Sequence, residues 1–169
     1  VHLPIGFRTE INLEALAWLD AVASRLESGY LVTIDYGYPS HELYQTYRQN
    51  GTLMAYEGHQ ALENLYTRVG QRDLTAHVNF SALAAWGEKA GLTVAGFTDQ
   101  AHFLMSLGIL ETLSDQDTPK AVKTRLNAKS LLLPGGMGEM FKVLIQYKGL
   151  EPASLSGLKF RPQRVSCRL

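Results

Sequence analysis

The sequence predicts an α/β fold in which helices cover a mainly parallel sheet, and three observations carry that prediction. Residues 30–35 form a continuous apolar and β-branched run behind a segment with helical spacing. A helical stripe from Phe80 to Gly87 is followed at once by a second such run, residues 92–97. A strong apolar run, residues 140–147, comes last. Helix and buried strand therefore alternate along the chain, as βα units require.

Thr9 or Asn12 can cap the first helix, and Glu10 and Glu14 lie near its positive end. Leu16, Leu19, Ala23 and Leu26 then recur at spacings of three and four, and Gly29 suits the stop. Tyr30, Leu31, Val32, Thr33, Ile34 and Asp35 show little polar alternation, so they read as a buried, parallel strand. Gly37, Pro39 and Ser40 mark turns, and short strands are expected at 52–56 and 74–78. Asn79 caps the next helix, which Gly91 ends. After the strand at 92–97, Thr98 or Asp99 caps a helix that Gly108 closes. Thr118 and Pro119 start another helix, running towards Leu131 and stopping before Pro134, Gly135 and Gly136. The segment 37–78 is too long for an ordinary strand-to-helix loop, and such excursions usually carry function.

The bulk numbers narrow the classes. With 169 residues, 46% apolar and 19% charged, the chain has the size and composition of one globular domain. Sixteen Lys and Arg balance sixteen Asp and Glu, so no global charge draws it to nucleic acid. Arg161, Arg164 and Arg168 form a local basic cluster in a tail, residues 159–169, that is expected to be disordered. The lone Cys167 excludes an internal disulfide framework and any CxxC motif. No apolar run approaches the roughly 18 residues that span a bilayer. Val1, His2, Leu3 and Pro4 carry no signal-peptide pattern, and the chain reads as starting inside a longer protein.

Candidate site residues follow from position. Ligands in open α/β sheets bind beyond the carboxyl ends of strands, where Asp35 falls, followed by Tyr36 and Gly37. A carboxylate there can hold a cationic group, or it can simply bond its own backbone as a turn residue. Asp73 and His77 form a possible acid–base pair, because residues 73, 75 and 77 share one face if they form a strand. The alternative is that Asp73 pairs with Arg72 or caps a turn, while His77 is a partly buried histidine. Tyr56, Glu57 and His59 lie close together, but there is no HxxxH or HxH, so metal binding is not expected. Gly135, Gly136 and Gly138 are not a P-loop, since no Lys-Ser/Thr follows, and no GxSxG nucleophile elbow occurs.

The residues from Leu31 to Gly37, then Arg48, Gly51, Thr52, Leu53, Tyr56, His59, Gly70, Gln71, Asp73 to Val78, and later Met137, Gly138 and Glu139, form an ordered set. In that order they closely resemble the methyltransferase family that includes mitochondrial complex I assembly factor 7 and its bacterial relatives. The resemblance runs to about Leu158. It implies part of a class I, Rossmann-like sheet with flanking helices and an insertion, its last strand antiparallel. It also implies S-adenosylmethionine as cofactor and a protein substrate, an arginine side chain of a respiratory complex I subunit. Cytoplasmic location in bacteria and mitochondrial location in eukaryotes go with it. The family usually has aspartate where Asn79 stands, and either residue caps a helix.

On this reading residues 1–158 are the carboxyl-terminal part of the domain, and 37–78 line the substrate cleft. The glycine-rich cofactor turn is expected upstream of Val1, which would leave this chain inactive alone. Asp35, His77 and Asp73 are the catalytic candidates; Tyr36, Gly37, Arg48, Tyr56 and His59 are the substrate-binding ones. The competing expectation is a non-catalytic domain that associates through an unpaired sheet edge, as a homo-oligomer or with another protein.

Overall fold

The computed structural model describes residues 3–58, 60–62, 64–133 and 135–160. Helix α1 (Leu13–Arg25) is capped by Asn12, whose Oδ1 accepts the Ala15 N–H at 3.0 Å. Strand β1 (Gly29–Tyr38) follows. The insertion then contains a short helix α2 (Ser40–Leu43), a 3₁₀ turn at Thr46–Arg48, and strands β2 (Met54–Glu57), β3 (Gln60–Leu62) and β4 (Asp73–Thr75). Strand β5 (Val78–Asn79) leads into α3 (Phe80–Lys89), and β6 (Thr93–Asp99) leads into α4 (Gln100–Ser106). Helices α5 (Pro119–Leu132) and α6 (Met137–Met140) precede the last strand, β7 (Phe141–Lys148).

The caps do what their chemistry suggests. Asn79, Asp99 and Thr118 accept the N–H of Ala82, His102 and Ala121, at 3.0, 2.9 and 3.2 Å. Gly91 and Gly108 take the left-handed conformation beyond α3 and α4, with φ of 85° and 82°. Helix α6 was not predicted, because its glycine-rich approach reads as a turn.

The main sheet has the order β5-β1-β7-β6, and the insertion forms its own sheet, β3-β2-β4. The expectation of a mainly parallel sheet needs correction. Strand β7 lies between β1 and β6 and runs against both, so among the described residues the parallel pairing in this sheet is the two-residue one of β1 with β5. The last strand is antiparallel, as expected. Strand β1 is also not buried on both sides. Leu31 and Thr33 turn inward, while Tyr30, Val32 and Ile34 are 40%, 47% and 48% exposed. Both faces of this strand are apolar, so the sequence alone cannot show which one is uncovered. The strand expected at 74–78 is broken at residues 76–77, and its two halves join different sheets.

The core lies between the sheet and α1 with α3. Leu19, Ala23, Phe80, Leu83, Ala84, Leu92, Phe97 and Leu144 form one cluster, and the Phe80 and Phe97 rings sit 5.3 Å apart. Gln146 of β7 is buried beside it, tight against Gly87, and neither atom of its amide has a hydrogen-bond partner. An orphaned buried amide is a cost, so Gln146→Leu is expected to stabilise the protein by about 1 kcal/mol. A thermal unfolding midpoint at or below that of the unsubstituted chain would refute this. The predicted tail is described only at Lys159 and Phe160; its remainder lies outside the described residues.

Candidate functional site

The carboxyl ends of β1 and β6 and the start of β7 meet at one end of the main sheet, because Asp35 and Asp99 both stand opposite Lys142 in register. The insertion arrives at the same end, where Val78 and Asn79 pair with Gly37 and Tyr38. Pairing this close requires glycine: a Cβ on Gly37 would stand 2.1 Å from the Val78 carbonyl oxygen. Gly37, expected to bind substrate, is thus buried and holds the insertion against the sheet.

His77 packs on this end. Its ring meets Tyr36 edge-on at 4.2 Å and lies 5.1 Å from Tyr38. Its backbone N–H donates to the Thr52 hydroxyl at 2.9 Å, while Nδ1 is buried without a partner. Burial, and after it the nearby Arg48 charge, pull the His77 pKa below the ordinary histidine value; Glu10 opposes them weakly. The ring is therefore neutral at pH 7. Burial, then Tyr56 and Tyr38, push the Tyr36 phenol up against a smaller opposing effect of Arg48, so Tyr36 keeps its proton and acts as a donor.

Arg48 is clamped. Its guanidinium lies 4.1 Å from the Tyr38 ring centre and 4.7 Å from that of Tyr47, and it donates to the Glu42 carbonyl at 2.5 Å. Tyr56 sits on β2, close enough to Tyr36 to perturb it. Asp35 lies within β1 opposite Lys142, is exposed, and accepts the N–H of Tyr36 at 2.7 Å, so it bonds neighbouring backbone but in a strand and not in a turn. Asp73 is exposed on β4, opposite Tyr56, and no hydrogen bond or ion pair joins it to His77 among the described residues. The break at 76–77 is what separates the pair. Arg72 pairs with Glu57 at 2.9 Å instead, as does Arg68. His59 lies outside the described residues.

Three residues at this end were not singled out from the sequence. Asp99, 4% exposed, caps α4 and also meets His102 Nδ1 with both carboxylate oxygens, at 2.6 and 2.8 Å. A carboxylate that takes Nδ1–H leaves Nε2 of a neutral imidazole as an acceptor, the arrangement of a proton-accepting histidine. Lys142 is 7% exposed, donates to the Glu139 carbonyl at 2.7 Å and lies 5.8 Å from the Tyr38 ring centre. Tyr38, Glu42, Asp99, Glu139 and Lys142 line an open recess. The signal was available: Asp99 closes an apolar run in the sequence as Asp35 does, and His102 follows three residues later.

Glu10 secures the insertion from the other side. Its carboxylate accepts the N–H groups of Thr52 and Leu53 and the Thr52 hydroxyl, all at 2.9–3.1 Å. Gly51, with φ +83°, makes room, since a Cβ there would lie 2.1 Å from Glu10 Oε1. Burial alone would raise the Glu10 pKa, but these hydrogen bonds outweigh it and leave the carboxyl below the ordinary glutamate value. A depressed folded pKa adds stability above the unfolded value, and that stability is lost as pH falls through the folded one. Glu10→Gln is thus expected to cost about 1 kcal/mol at pH 7, after allowing for solvent screening. The difference should vanish in acid, below the lowered pKa; a cost independent of pH in paired denaturant titrations would contradict it.

No helix among the described residues is long and apolar enough to cross a membrane. No curated protein matches the chain. Solved structures do, among them two from Burkholderia thailandensis. One, of an uncharacterized protein, is 34% identical with a TM-score of 0.86, over 92% of this chain and 42% of that one. The other was solved bound to S-adenosyl-homocysteine; it is also 34% identical, with a TM-score of 0.85 over 94% of this chain and 41% of that one. The chain thus spans about two-fifths of the length of these structures. Residues 2–98 match the family described as "Putative S-adenosyl-L-methionine-dependent methyltransferase". A Rossmann-like partial sheet with an antiparallel last strand, the solved neighbours and the family match agree, and the chain belongs to this S-adenosyl-L-methionine-dependent methyltransferase family.

Proposed function

We propose that the chain forms the acceptor side of a methyltransferase that modifies an arginine side chain of a protein, as in the assembly of respiratory complex I. The observation that carries this reading is the recess at the strand ends, whose lining brings Glu42, Asp99 and Glu139 together with Tyr38 and Lys142. Carboxylates beside an aromatic face suit a guanidinium. Tyr36, Arg48 and Tyr56 remain the substrate-binding candidates, together with His59, which lies outside the described residues, and Gly37 holds the insertion against the sheet. Asp35, His77 and Asp73 remain the catalytic candidates from position in the chain; of these only His77 packs against Tyr36 and Tyr38.

The donor side does not fit the described residues. An adenosine cofactor on such a sheet needs a glycine-rich turn from strand to helix. Here β1 passes to α2 through Pro39, and β6 passes directly to α4, neither through a glycine. S-adenosylmethionine, which supplies an electrophilic methyl when bound, would then be held mainly by segments outside this chain.

The test uses the chain extended upstream to the length of its solved relatives, with radiolabelled S-adenosylmethionine and arginine-containing peptides. Label on arginine, reduced about tenfold or more by Glu139→Gln or Asp99→Asn, is the expected result. Label on another residue type, or transfer indifferent to both variants, would overturn the arginine assignment.

One observation favours a second reading as an association domain. The outer edge of β1 is paired only at Gly37 and Tyr38, beside exposed Tyr30, Val32 and Ile34. Concentration-dependent dimerisation of the chain, abolished by Val32→Lys, would support it; a monomer at every concentration would not.

A further inference from the structure

Behind His77, on the side of α1 and α3, lies a separate cavity of about 280 Å³. It exists because the two helices meet there through small side chains. Helix α1 presents Ala15 and Leu16, while α3 presents Ala82, Ala85 and Trp86 at spacings of three and four. Alanines on both walls cannot close the gap. The floor is apolar, and the polar residues Glu10, Asn12 and Lys89 also belong to the lining. Trp86 keeps a buried indole N–H with no acceptor, an unusual state for tryptophan. His77 is the shared wall: it lines this cavity and its ring packs on Tyr36 and Tyr38 of the strand-end site.

We infer that this cavity is a specificity pocket for an uncharged aromatic side chain of the methyl acceptor, carried next to the residue that is modified. The inference rests on the methyltransferase reading for the identity of the acceptor, but the pocket itself can be tested without it. Size selects the class: an apolar cavity of roughly 150 Å³ holds benzene, so this one accepts a substituted ring. Chemistry selects it too. No described acidic or basic group reaches the apolar floor unpaired, since the Glu10 carboxylate is held by Thr52 and Leu53 and Lys89 lies 5.0 Å from the Trp86 ring centre. A charged side chain would lose its hydration there without compensation. An aromatic ring loses little and gains the walls of Leu16 and Trp86.

The probe is 4-fluorobenzyl alcohol, followed by fluorine NMR and by the two indole N–H signals of the protein, Trp18 and Trp86. Binding with a dissociation constant of about 1 mM is expected for so small a ligand. The Trp86 signal should move and that of Trp18, which is 48% exposed on α1, should stay. Ala82→Leu fills the cavity from α3 and Ala15→Leu from α1. Each should weaken the probe about tenfold while leaving the thermal midpoint unchanged or higher. The positively charged 4-fluorobenzylamine should bind more weakly than the alcohol. A static Trp86 signal, or probe binding by both filled variants as tight as by the unsubstituted chain, overturns the pocket. Calorimetry with S-adenosylhomocysteine on the upstream-extended form separates the two claims: lost cofactor binding with intact probe binding sinks the methyltransferase reading and leaves the pocket standing.

Discussion

Phe80→Ala is expected to destabilise the protein by about 4 kcal/mol, the largest effect of any single truncation considered. Phe80 is fully buried as the first residue of α3, directly after its Asn79 cap, and its ring lies against Phe97 of β6 within the cluster that includes Leu19, Leu83 and Leu144. Removing it empties the junction of α1, α3 and the sheet, so the loss combines the transfer term with an unfilled cavity. The cost is a large share of the stability of a domain this size. Urea unfolding measures it directly. A loss below about 1 kcal/mol would mean that the junction collapses around the gap, and that α1 and α3 are not fixed by this ring.

Gly37→Ala is the second large effect, and it tests how the insertion is attached. The new methyl would meet the backbone of Val78 at 2.1–2.8 Å, and backbone cannot swing aside as a side chain can. Either β1 or β5 must retreat, which breaks their parallel pairing and disturbs the Asn79 cap behind it. About 3 kcal/mol is expected, at the upper end of overpacking costs. Hydrogen exchange gives the more specific signature: the β1–β5 junction and residues 76–79 should lose protection while the β1–β7 ladder keeps it. Uniform loss across both ladders would contradict a local attachment.

The two substitutions also mark what was legible in the sequence. Phe80 was placed correctly because helix signals are local: Asn12, Asn79, Asp99 and Thr118 each announce a helix by a cap a few residues away. Gly37 reads locally as a turn residue but lies within β1, because the approach of Val78 depends on a pairing 41 positions along the chain. The same limit explains β1. Tyr30, Val32 and Ile34 are as apolar as Leu31, and only the absence of a covering layer distinguishes the two faces. Strand direction failed for a related reason: local pattern carries no record of β7 returning between β1 and β6.

Within the candidate site, His77 packs on Tyr36 and Tyr38, and Arg48 stacks on Tyr38. Asp73 was linked to His77 by an alternation that the break at residues 76–77 interrupts. Asp99 and His102 are legible locally, since an apolar run closes at Asp99 and His102 follows three residues on, whereas the place of Lys142 opposite Asp35 and Asp99 depends on β7 pairing with both β1 and β6.

The central claim is that this chain supplies the acceptor side of the enzyme while the cofactor is held mainly elsewhere. Calorimetric titration with S-adenosylhomocysteine tests it most directly, on the chain and on a form extended upstream to the length of its relatives. Binding by the extended form alone is the predicted result. Tight binding by the chain itself would contradict the claim, and would move the cofactor into the strand-end recess or the cavity between α1 and α3.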